Sequence, residues 1–156
     1  MKEIKLDLDS AFLHDIQLID TQMVALHCDV KKTETDEKNI KTNISICTQG
    51  NAVNDHEGES VIEVKIESRI FDMSITQMGK FRKNGTVSIS VDNFESFLAT
   101  QGIRLLWSFV RENVYEISCK MIRQPIMLPT LDVMKTLKKH TIDIREEANE
   151  DRIEKA

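Results

Sequence analysis

The sequence is poor in the residues on which most recognisable motifs depend. Its 156 residues include two prolines, five glycines and three cysteines, and aromatic residues make up 5%. The cysteines (Cys28, Cys47 and Cys119) are odd in number and far apart, which argues against a disulfide framework or a CxxC pair. No apolar run approaches the ~18 residues that span a bilayer, and residues 1–7 alternate charge with aliphatic side chains instead of forming a signal peptide. We therefore expect a protein of the reducing cytoplasm.

Motifs for catalysis and cofactor binding are also missing from the sequence. The glycines form neither a P-loop nor a dinucleotide fingerprint, and no serine lies in a nucleophile elbow. No histidine pairs with another histidine or a cysteine at the spacing of zinc ligands; the four are His14, His27, His56 and His140. Cys119 has apolar neighbours on a predicted helix, which is typical of a packing residue. We expect no metal, no cofactor and no enzymatic activity, and favour an apolar, oligomer-forming binding protein.

Charge narrows the class of partner. The net charge is −5 and the pI about 5.4, which disfavours a general nucleic-acid binder because such a protein needs a basic surface. The same charge suits a self-repelling soluble protein or one that meets a basic partner. With 40% hydrophobic and 30% charged residues, a chain of this length is expected to form one domain with its own core.

The first half of the chain alternates apolar and polar residues, the signature of strands with one buried face. The alternating segments are residues 4–8, 16–18, 24–30, 40–46 and 62–70. Such segments in succession predict an antiparallel meander with one buried and one solvated face. Residues 31–38 are expected to form a charged turn and residues 50–58 a longer hairpin loop. Asn84-Gly85, flanked by apolar residues, predicts a further small hairpin with a type I′ turn.

The second half changes to a helical period. Asp92 can cap a short helix that Gly102 interrupts. Over residues 103–121, apolar side chains recur at three- and four-residue steps. The stripe is widened by Leu105 and Phe109, so it is too broad for one sheet to cover. The surplus apolar surface indicates self-association of the chain.

Two prolines mark the approach to the C-terminus. Pro125 and Pro129 bracket a segment that is expected to be extended, because proline restricts the residue before it. Thr130 offers an N-cap for a second amphipathic helix. We expect one domain over residues 1–140 and a charged tail over residues 141–156.

Three stretches resemble the SecB family of protein-export chaperones. Residues 105–112 (LLWSFVRE) are similar to the first turns of a family helix, in which an apolar residue, an aromatic, Pro and Tyr precede Ala-Arg-Glu. In this chain Ser108 stands where Pro is usual and Phe109 where Tyr is usual. Residues 123–132 (RQPIMLPTLD) are similar to the Pro-containing segment before the family's last helix. Looser likeness lies at His14-Asp15-Ile16 and over residues 58–71. Residues 72–98 are longer than the family's usual crossover between sheet and helix.

The resemblance implies an α+β fold, a four-stranded antiparallel sheet packed on a long helix and a shorter C-terminal helix. It also implies a tetramer that holds unfolded precursor polypeptides in apolar grooves and delivers them to the SecA motor, without ATP or a metal of its own. The partners would be unfolded polypeptides, SecA and further copies of the chain, with no nucleic acid and no membrane insertion. Some SecB-like proteins instead guard an antitoxin, so the alternative function is an adaptor for one dedicated partner.

Three sets of residues are candidates for these contacts. The client-binding groove is assigned to Phe81, Phe94, Phe97, Leu98, Ile126, Met127 and Leu128. The oligomer interface is assigned to Leu106, Trp107, Phe109, Val110, Val114 and Ile117. A SecA-facing surface is assigned to Asp15, Glu63 and Glu67, although Ile19 stands where the family carries an acid. Plain core packing is an alternative for the groove residues, and a solvated sheet face is an alternative for Glu63 and Glu67.

Overall fold

The computed structural model describes residues 14–31, 41–85, 88–122, 125–132 and 135–136, in which four strands are followed by a helical region. The strands are β1 (Ile16–Val30), β2 (Thr42–Ala52), β3 (Glu57–Ser68) and β4 (Phe71–Lys83), and the helical region comprises α1 (Val91–Phe97), a π-helical turn (Leu98–Gly102) and α2 (Ile103–Met121). The expected α+β class is confirmed. The predicted strand at residues 4–8, most of the turn at 31–38 and the tail at 141–156 lie outside the described residues.

The four strands form one antiparallel sheet in the order β1-β4-β3-β2. The four-stranded antiparallel sheet is therefore confirmed, but a simple meander is wrong, because β1 pairs with β4 and not with β2. β1 is also a single strand of 15 residues where the pattern indicates two segments. Register shifts between Leu18 and Asp20 and between Met23 and Ala25 break the alternation without ending the strand.

The apolar pattern fails to predict β4, whose residues the resemblance places in the crossover between sheet and helix. The first inward positions of β4 are apolar, but Gln77 and Gly79 then interrupt them. Buried Gln77 donates from Nε2 to Thr21 Oγ1 (2.8 Å) and accepts at Oε1 from Asn113 Nδ2 (3.0 Å). A Cβ at Gly79 would lie 2.7 Å from Leu106 Cδ2, so glycine lets α2 approach the sheet. Both interruptions thus belong to the packing of a central strand.

The connection between β2 and β3 is tighter than the predicted loop over residues 50–58. The two strands pair as far as Ala52 and Gly58, which leaves residues 53–56 as the turn. Asn54 closes the turn, because its Oδ1 accepts from the backbone N–H groups of His56 and Glu57 at 2.8 Å each.

The hairpin predicted at Asn84-Gly85 is wrong. β4 ends at Lys83, and Val91, which would belong to the returning strand, begins α1 instead. The Asn84 N–H donates to the carbonyl of Asp15 (2.7 Å) and so ties the end of β4 to the start of β1.

The helical region continues from α1 through the π-helical turn into α2. Ser90 is the N-cap, and not Asp92, because its Oγ accepts from the N–H of the third residue after it (3.3 Å). Gly102 does not end the helix, since its backbone angles are helical (φ −58°, ψ −47°). A Cβ there would overlap Ser60 Oγ, whose hydroxyl donates to the carbonyl of Leu98 (2.7 Å). Gly102 therefore marks the close approach of helix to sheet.

The main core lies between α2 and the two central strands, β3 and β4. From α2 it contains Ile103, Leu106, Trp107, Val110 and Val114; from the two strands it contains Ile62, Val64, Ile66, Met73 and Ile75. A smaller cluster of Ile16, Phe81, Phe94 and Leu98 joins α1 to the end of the sheet. Burying each of these side chains contributes roughly 1.5–3 kcal/mol. The central stripe of α2 is thus covered within a single chain.

Gly50→Ala is expected to destabilise the protein strongly. A Cβ at residue 50 would lie 2.5 Å from Ala99 N and 2.7 Å from Leu98 C, backbone atoms that cannot easily move aside. We expect a loss of about 3 kcal/mol in the free energy of unfolding, measured by chemical denaturation. Gly85→Ala is the matched control, because no heavy atom lies within 4 Å of its Cβ position. Equal stabilities for the two variants would contradict the packing of β2 on the π-helical turn.

Residues 125–132 follow α2 and contain neither helix nor strand. The next helical turn begins at Asp132 and not at Thr130, because the Asp132 carboxylate accepts from the Lys135 N–H (3.1 Å) and its carbonyl accepts from the Thr136 N–H (3.0 Å). The hydrogen bond from the Lys135 N–H lowers the pKa of the Asp132 carboxyl, and the nearby Lys135 ammonium adds to this effect. The remainder of the predicted second helix lies outside the described residues.

Candidate functional site

The sheet is wider than the helix that covers it. Because α2 lies over β3 and β4, the helix-side faces of the edge strands β1 and β2 are left partly open. Ile44 of β2 is 41% exposed and Leu26 of β1 is 47% exposed, although the register places both on the helix side of the sheet. The chain therefore carries an uncovered apolar strip on each flank of α2.

The strip beside β2 forms a groove, which we call the β2 groove. It is narrow, with room for about 20 Å³ between its walls, and it is lined by Ile46, Thr48, Ile62, Ile103, Trp107, Leu131 and Thr136. Ile44 continues the floor by one step, because alternate residues of β2 face the same side. The groove thus runs along an edge strand, and its mouth opens beside the backbone of β2.

The far wall of the β2 groove includes Leu131, which belongs to residues 125–132, a segment held by three side chains of α2. Ser118 Oγ accepts from the Ile126 N–H (2.8 Å), Arg111 Nε donates to the Leu128 carbonyl (3.0 Å) and Trp107 Nε1 donates to the Pro129 carbonyl (3.2 Å). Along α2, Trp107, Arg111 and Ser118 contact residues 129, 128 and 126 in turn, so the segment runs antiparallel to the helix. Each side chain satisfies a backbone group that no strand pairs.

Ser118→Ala is expected to loosen this wall. Ser118 is fully buried, and its loss leaves the Ile126 N–H without an acceptor, which costs about 1–2 kcal/mol of stability. Ser108→Ala is the matched control, since Ser108 is exposed on the same helix. Chemical denaturation should therefore separate the two variants. If they are equally stable, the contact does not hold the wall.

The β2 groove offers little to a polar ligand. The Trp107 N–H already donates to Pro129, and the Thr136 hydroxyl donates to the Asp132 carbonyl (2.9 Å). Across the described ranges, no buried side-chain nitrogen or oxygen lacks a hydrogen-bond partner. The accessible surface of the groove is therefore mainly apolar.

The second strip, which we call the β1 face, is formed by exposed apolar residues of β1 and by Phe109 beside them. Met23 and Leu26 lie on the helix side by the register, and with Ile19 and Val24 they are each 40–47% exposed. Ile19 and Val24 are the residues skipped by the two register shifts of β1. On α2, Asn113 reaches toward β1 through its bond to Gln77, which in turn bonds Thr21. Phe109, 36% exposed, lies one turn before Asn113 and so projects to the same side.

The opposite face of the sheet is polar and charged. In a shallow hollow there, Glu63 lies 3.5 Å from both Lys65 Nζ and Ser74 Oγ. Elsewhere on this face, the hydrogen bond from Arg82 lowers the pKa of the Glu57 carboxyl, and the one from Lys31 lowers the pKa of the Asp72 carboxyl. All these pairs are solvent-exposed, so they contribute little to stability.

The structure does not bring together the three acids assigned to a SecA-facing surface. Glu63 and Glu67 lie on the polar face of β3. Asp15 precedes Ile16, which pairs with Lys83, whereas Glu67 pairs with Asp72 at the other end of β4. At about 3.4 Å per residue, these ends are roughly 35 Å apart.

The residues assigned to the client groove fall into two groups. Phe81, Phe94, Leu98 and Leu128 are at most 1% exposed and belong to the core clusters. Phe97 and Ile126 are partly buried, and only Met127, at 74%, is largely exposed. In this structure the first group offers no surface to a client.

The residues assigned to the oligomer interface divide in the same way. Leu106, Trp107, Val110 and Val114 pack against the chain's own sheet. Phe109 and Ile117 keep part of their surface accessible and lie at the margin of that core. Within a single chain only the margins of the apolar stripe on α2 remain exposed, at Leu105, Phe109 and Met121.

Several exposed apolar residues escape the sequence assignment. Ile44 on β2, and Met23 and Leu26 on β1, lie on the same side of the sheet as the core and are 40–47% exposed. Alternation identifies the apolar face of a strand, but it cannot indicate whether a helix lies over that strand. Both strips could have been found only with the order of the strands in the sheet, because that order shows which strands lie at the edges.

Other chemistries have little support in the structure. The three cysteines are free thiols, and burial, with a smaller effect of Asp29, raises the pKa of the Cys28 thiol. In the part of the chain that the structure describes, no three histidine, cysteine or acidic residues are grouped as metal ligands. None of the described helices has the length and hydropathy needed to cross a membrane.

Comparisons with known proteins identify the fold. No protein-family model matches the sequence, and no curated protein matches it. Among solved structures, the Mycobacterium tuberculosis SecB-like chaperone Rv1957, in complex with a ChAD peptide from the HigA1 antitoxin, is similar with a TM-score of 0.66 and 14% sequence identity. The match covers 75% of this chain and 91% of that one. The chain has a SecB-like fold. A protein of unknown function from Streptococcus agalactiae matches with a TM-score of 0.48, 16% identity, and coverage of 73% of this chain and 96% of that one.

The SecB-like fold agrees with the resemblance seen in the sequence. Residues 105–112 form the middle of α2's contact with the sheet, and residues 125–132 form the wall of the β2 groove. The two most specific motifs are therefore adjacent in space, joined by the bonds of Trp107 and Arg111. At 14% identity, the two chains share the fold with few identical residues.

Proposed function

We propose that this protein is a chaperone that holds unfolded polypeptides by their apolar segments, with the β2 groove as a binding site. The observation that carries the proposal is the groove itself, an uncharged apolar trough open along an edge strand in a SecB-like fold. An unfolded client exposes apolar side chains that a folded protein hides, so the groove distinguishes the two without a sequence code. The protein acts by binding, with no enzymatic activity, nucleotide or metal.

The affinity follows from the burial of apolar surface. Each square ångström of apolar surface that client and groove remove from water contributes about 25 cal/mol. A single short contact of this kind is weak, because ordering the client opposes it. Several grooves on one oligomer raise the local concentration of binding sites, so a long client is retained while short peptides dissociate.

The β1 face is the surface that we propose for self-association, up to a homotetramer. A contiguous exposed apolar patch on a soluble protein commonly marks a protein–protein contact. Burying Ile19, Met23, Val24 and Leu26 against a second copy would cover them and would place a groove at each end of the dimer. Phe109 and Ile117, which the sequence assigns to the oligomer interface, would take part in this contact together with strand β1.

A dedicated adaptor is the second candidate function. The similar SecB-like chaperone was solved with a peptide from an antitoxin, so the same fold can serve one defined partner. An adaptor would hold its partner by the same groove, but it would fail to protect unrelated clients.

Delivery to SecA is the less supported part of an export function. Asp15 is far from Glu63 and Glu67 along the sheet, and exposed Ile19 stands where the family carries an acid. We propose holding of clients in the cytoplasm, where the three free thiols would remain reduced, and treat transfer to SecA as a separate question for a binding experiment.

The proposal is tested with guanidinium-unfolded citrate synthase diluted into buffer that contains the full-length protein. We expect stoichiometric protein to suppress light scattering from aggregation without nucleotide. Suppression for this client supports a general holdase. No suppression, together with one tight complex captured from lysate, would instead support the adaptor function.

A further inference from the structure

We propose that the free edge of β2 binds the same edge of a second folded copy of the chain, with the two strands antiparallel about a two-fold axis at Cys47. This contact is separate from the one at the β1 face and does not depend on the proposed function. One consequence does rest on that function, because a copy bound at this edge limits the access of a client to the β2 groove.

The free edge of β2 lacks the features that keep sheet edges apart, which are bulges, charges and prolines. The edge at β1 is broken by two register shifts and carries Asp20 and Asp29. β2 pairs with β3 at all 11 positions without a shift, and its sequence, TNISICTQGNA, contains no charge and no proline. No described strand lies on its other side. A second β2 can therefore approach this edge without meeting a like charge or a bulge.

The midpoint of β2 sets the register of the pair. β2 runs from Thr42 to Ala52, so Cys47 is its central residue. An antiparallel pair in which Cys47 lies opposite Cys47 of the second copy joins the full length of both strands, and any other register leaves residues of both unpaired. The same surface is used on each copy, so the contact closes on two chains.

The two faces of β2 match in this register. Alternate residues face alternate sides of a strand, so residues of the polar face meet each other, as do residues of the helix side. On the polar face, Ser45 lies opposite Gln49 of the second copy, and both side chains are polar and uncharged. On the helix side, Ile46 lies opposite Thr48 of the second copy. Like charges, which destabilise a strand pair, are opposed nowhere along β2.

The contact places side chains of the second copy beside the β2 groove. Ile46 and Thr48 line the groove, and the strand of the second copy would lie about 4.8 Å from β2. A folded strand then borders the groove along the edge where it otherwise opens to solvent. Paired copies are therefore expected to hold clients less well than single ones.

The test uses thiol cross-linking, because Cys47 is exposed and lies on the polar face opposite Glu63. Opposed residues of antiparallel strands have Cα atoms about 4.5 or 5.5 Å apart, and both spacings are compatible with a disulfide. The full-length protein is incubated with oxidised glutathione. Two Cys47 thiols form one disulfide, and one oxidised glutathione is reduced to two molecules of glutathione. The covalent dimer is measured on a non-reducing gel.

Cys119 provides the matched control, because it is also an exposed free thiol but lies on α2. Cys47→Ser retains Cys119 and reports cross-links formed by collision, whereas Cys119→Ser retains Cys47. We expect Cys119→Ser to cross-link more than about 10-fold faster than Cys47→Ser, because pairing raises the local concentration of the Cys47 thiols. Equal rates, or faster cross-linking of Cys47→Ser, would overturn the proposed pairing.

Two further variants, each made in a chain that carries Cys47→Ser and Cys119→Ser, test the register. Ser45→Cys and Gln49→Cys should each cross-link slowly alone, because residue 45 would lie about 14 Å from residue 45 of the second copy. A mixture of the two should cross-link more than about 10-fold faster, because residues 45 and 49 lie opposite each other. A mixture no faster than either variant alone would overturn the pairing about Cys47.

The citrate synthase assay separates this contact from the proposed function. We expect Cys119→Ser protein cross-linked at Cys47 to suppress aggregation less than the same protein after reduction, and equal suppression would overturn the limit on client access. If reduced protein suppresses aggregation but the cross-linking tests fail, the pairing is wrong and the proposed function stands. If the cross-links form as expected but reduced protein does not suppress aggregation, the pairing stands and the proposed function is removed.

Discussion

Ile44→Lys is expected to abolish the retention of unfolded polypeptide with little change in the stability of the protein. Ile44 is 41% exposed on the floor of the β2 groove, so a lysine there keeps its ammonium in water until a client covers it. Covering the charge without a partner is costly, and an oligomer with several grooves multiplies the loss. We expect the affinity for an unfolded client to fall by about 100-fold or more.

Ser45→Lys is the matched control, because it adds the same charge to the next residue of β2 on the opposite face of the sheet. Client affinity is measured by anisotropy and the free energy of unfolding by denaturation for both variants. We expect Ser45→Lys to bind within about threefold of the parent protein. Comparable losses in the two variants would show that charge on β2, and not the groove, controls binding.

Leu26→Lys is expected to dissociate the oligomer. Leu26 is 47% exposed on the β1 face, and a lysine there would place an unpartnered charge in the proposed contact between copies. Light scattering should give a mass that falls from a multiple of 17.9 kDa toward that of one or two chains. The dissociation constant should rise by more than about 100-fold, since breaking a buried apolar contact with a charge costs several kcal/mol.

His27→Lys controls for charge on β1, because residue 27 lies on the polar side of the strand opposite Ser74. Its oligomeric mass should equal that of the parent. A parent protein that is itself monomeric, or a Leu26→Lys variant of unchanged mass, would exclude the β1 face as the contact. Leu26→Lys should still bind short peptides while losing long clients, because each chain retains its own groove.

The sequence was informative where one residue pattern implies one structure. Alternation predicted β2 and β3 and the apolar face of β1, and the three- and four-residue steps predicted α2. β4 was not predicted because Gln77 and Gly79 interrupt its inward apolar positions. Gln77 is there because it bonds Asn113, and Gly79 is there because Leu106 approaches it closely, and both contacts exist only in the folded chain. The interrupted pattern therefore resembled a connection between elements.

The candidate site was only partly predictable for a related reason. Buried and groove-lining apolar residues have the same character, so Phe81, Phe94 and Leu98 could not be separated from Ile44 by sequence. The difference depends on strand order, since edge strands are those that α2 leaves uncovered. The motif containing Trp107 and the one containing Pro129 are adjacent in the folded chain, where one hydrogen bond joins them (3.2 Å).

Hydrogen–deuterium exchange of the full-length protein, with and without a saturating unfolded client, tests most directly whether the uncovered flank at β2 is the binding surface. We expect the client to slow exchange in residues 42–49, whose free edge borders the groove, and to leave the exchange rate of the polar face near Glu57 and Arg82 unchanged. Unaltered exchange in residues 42–49 under conditions in which the client is demonstrably bound would contradict this expectation.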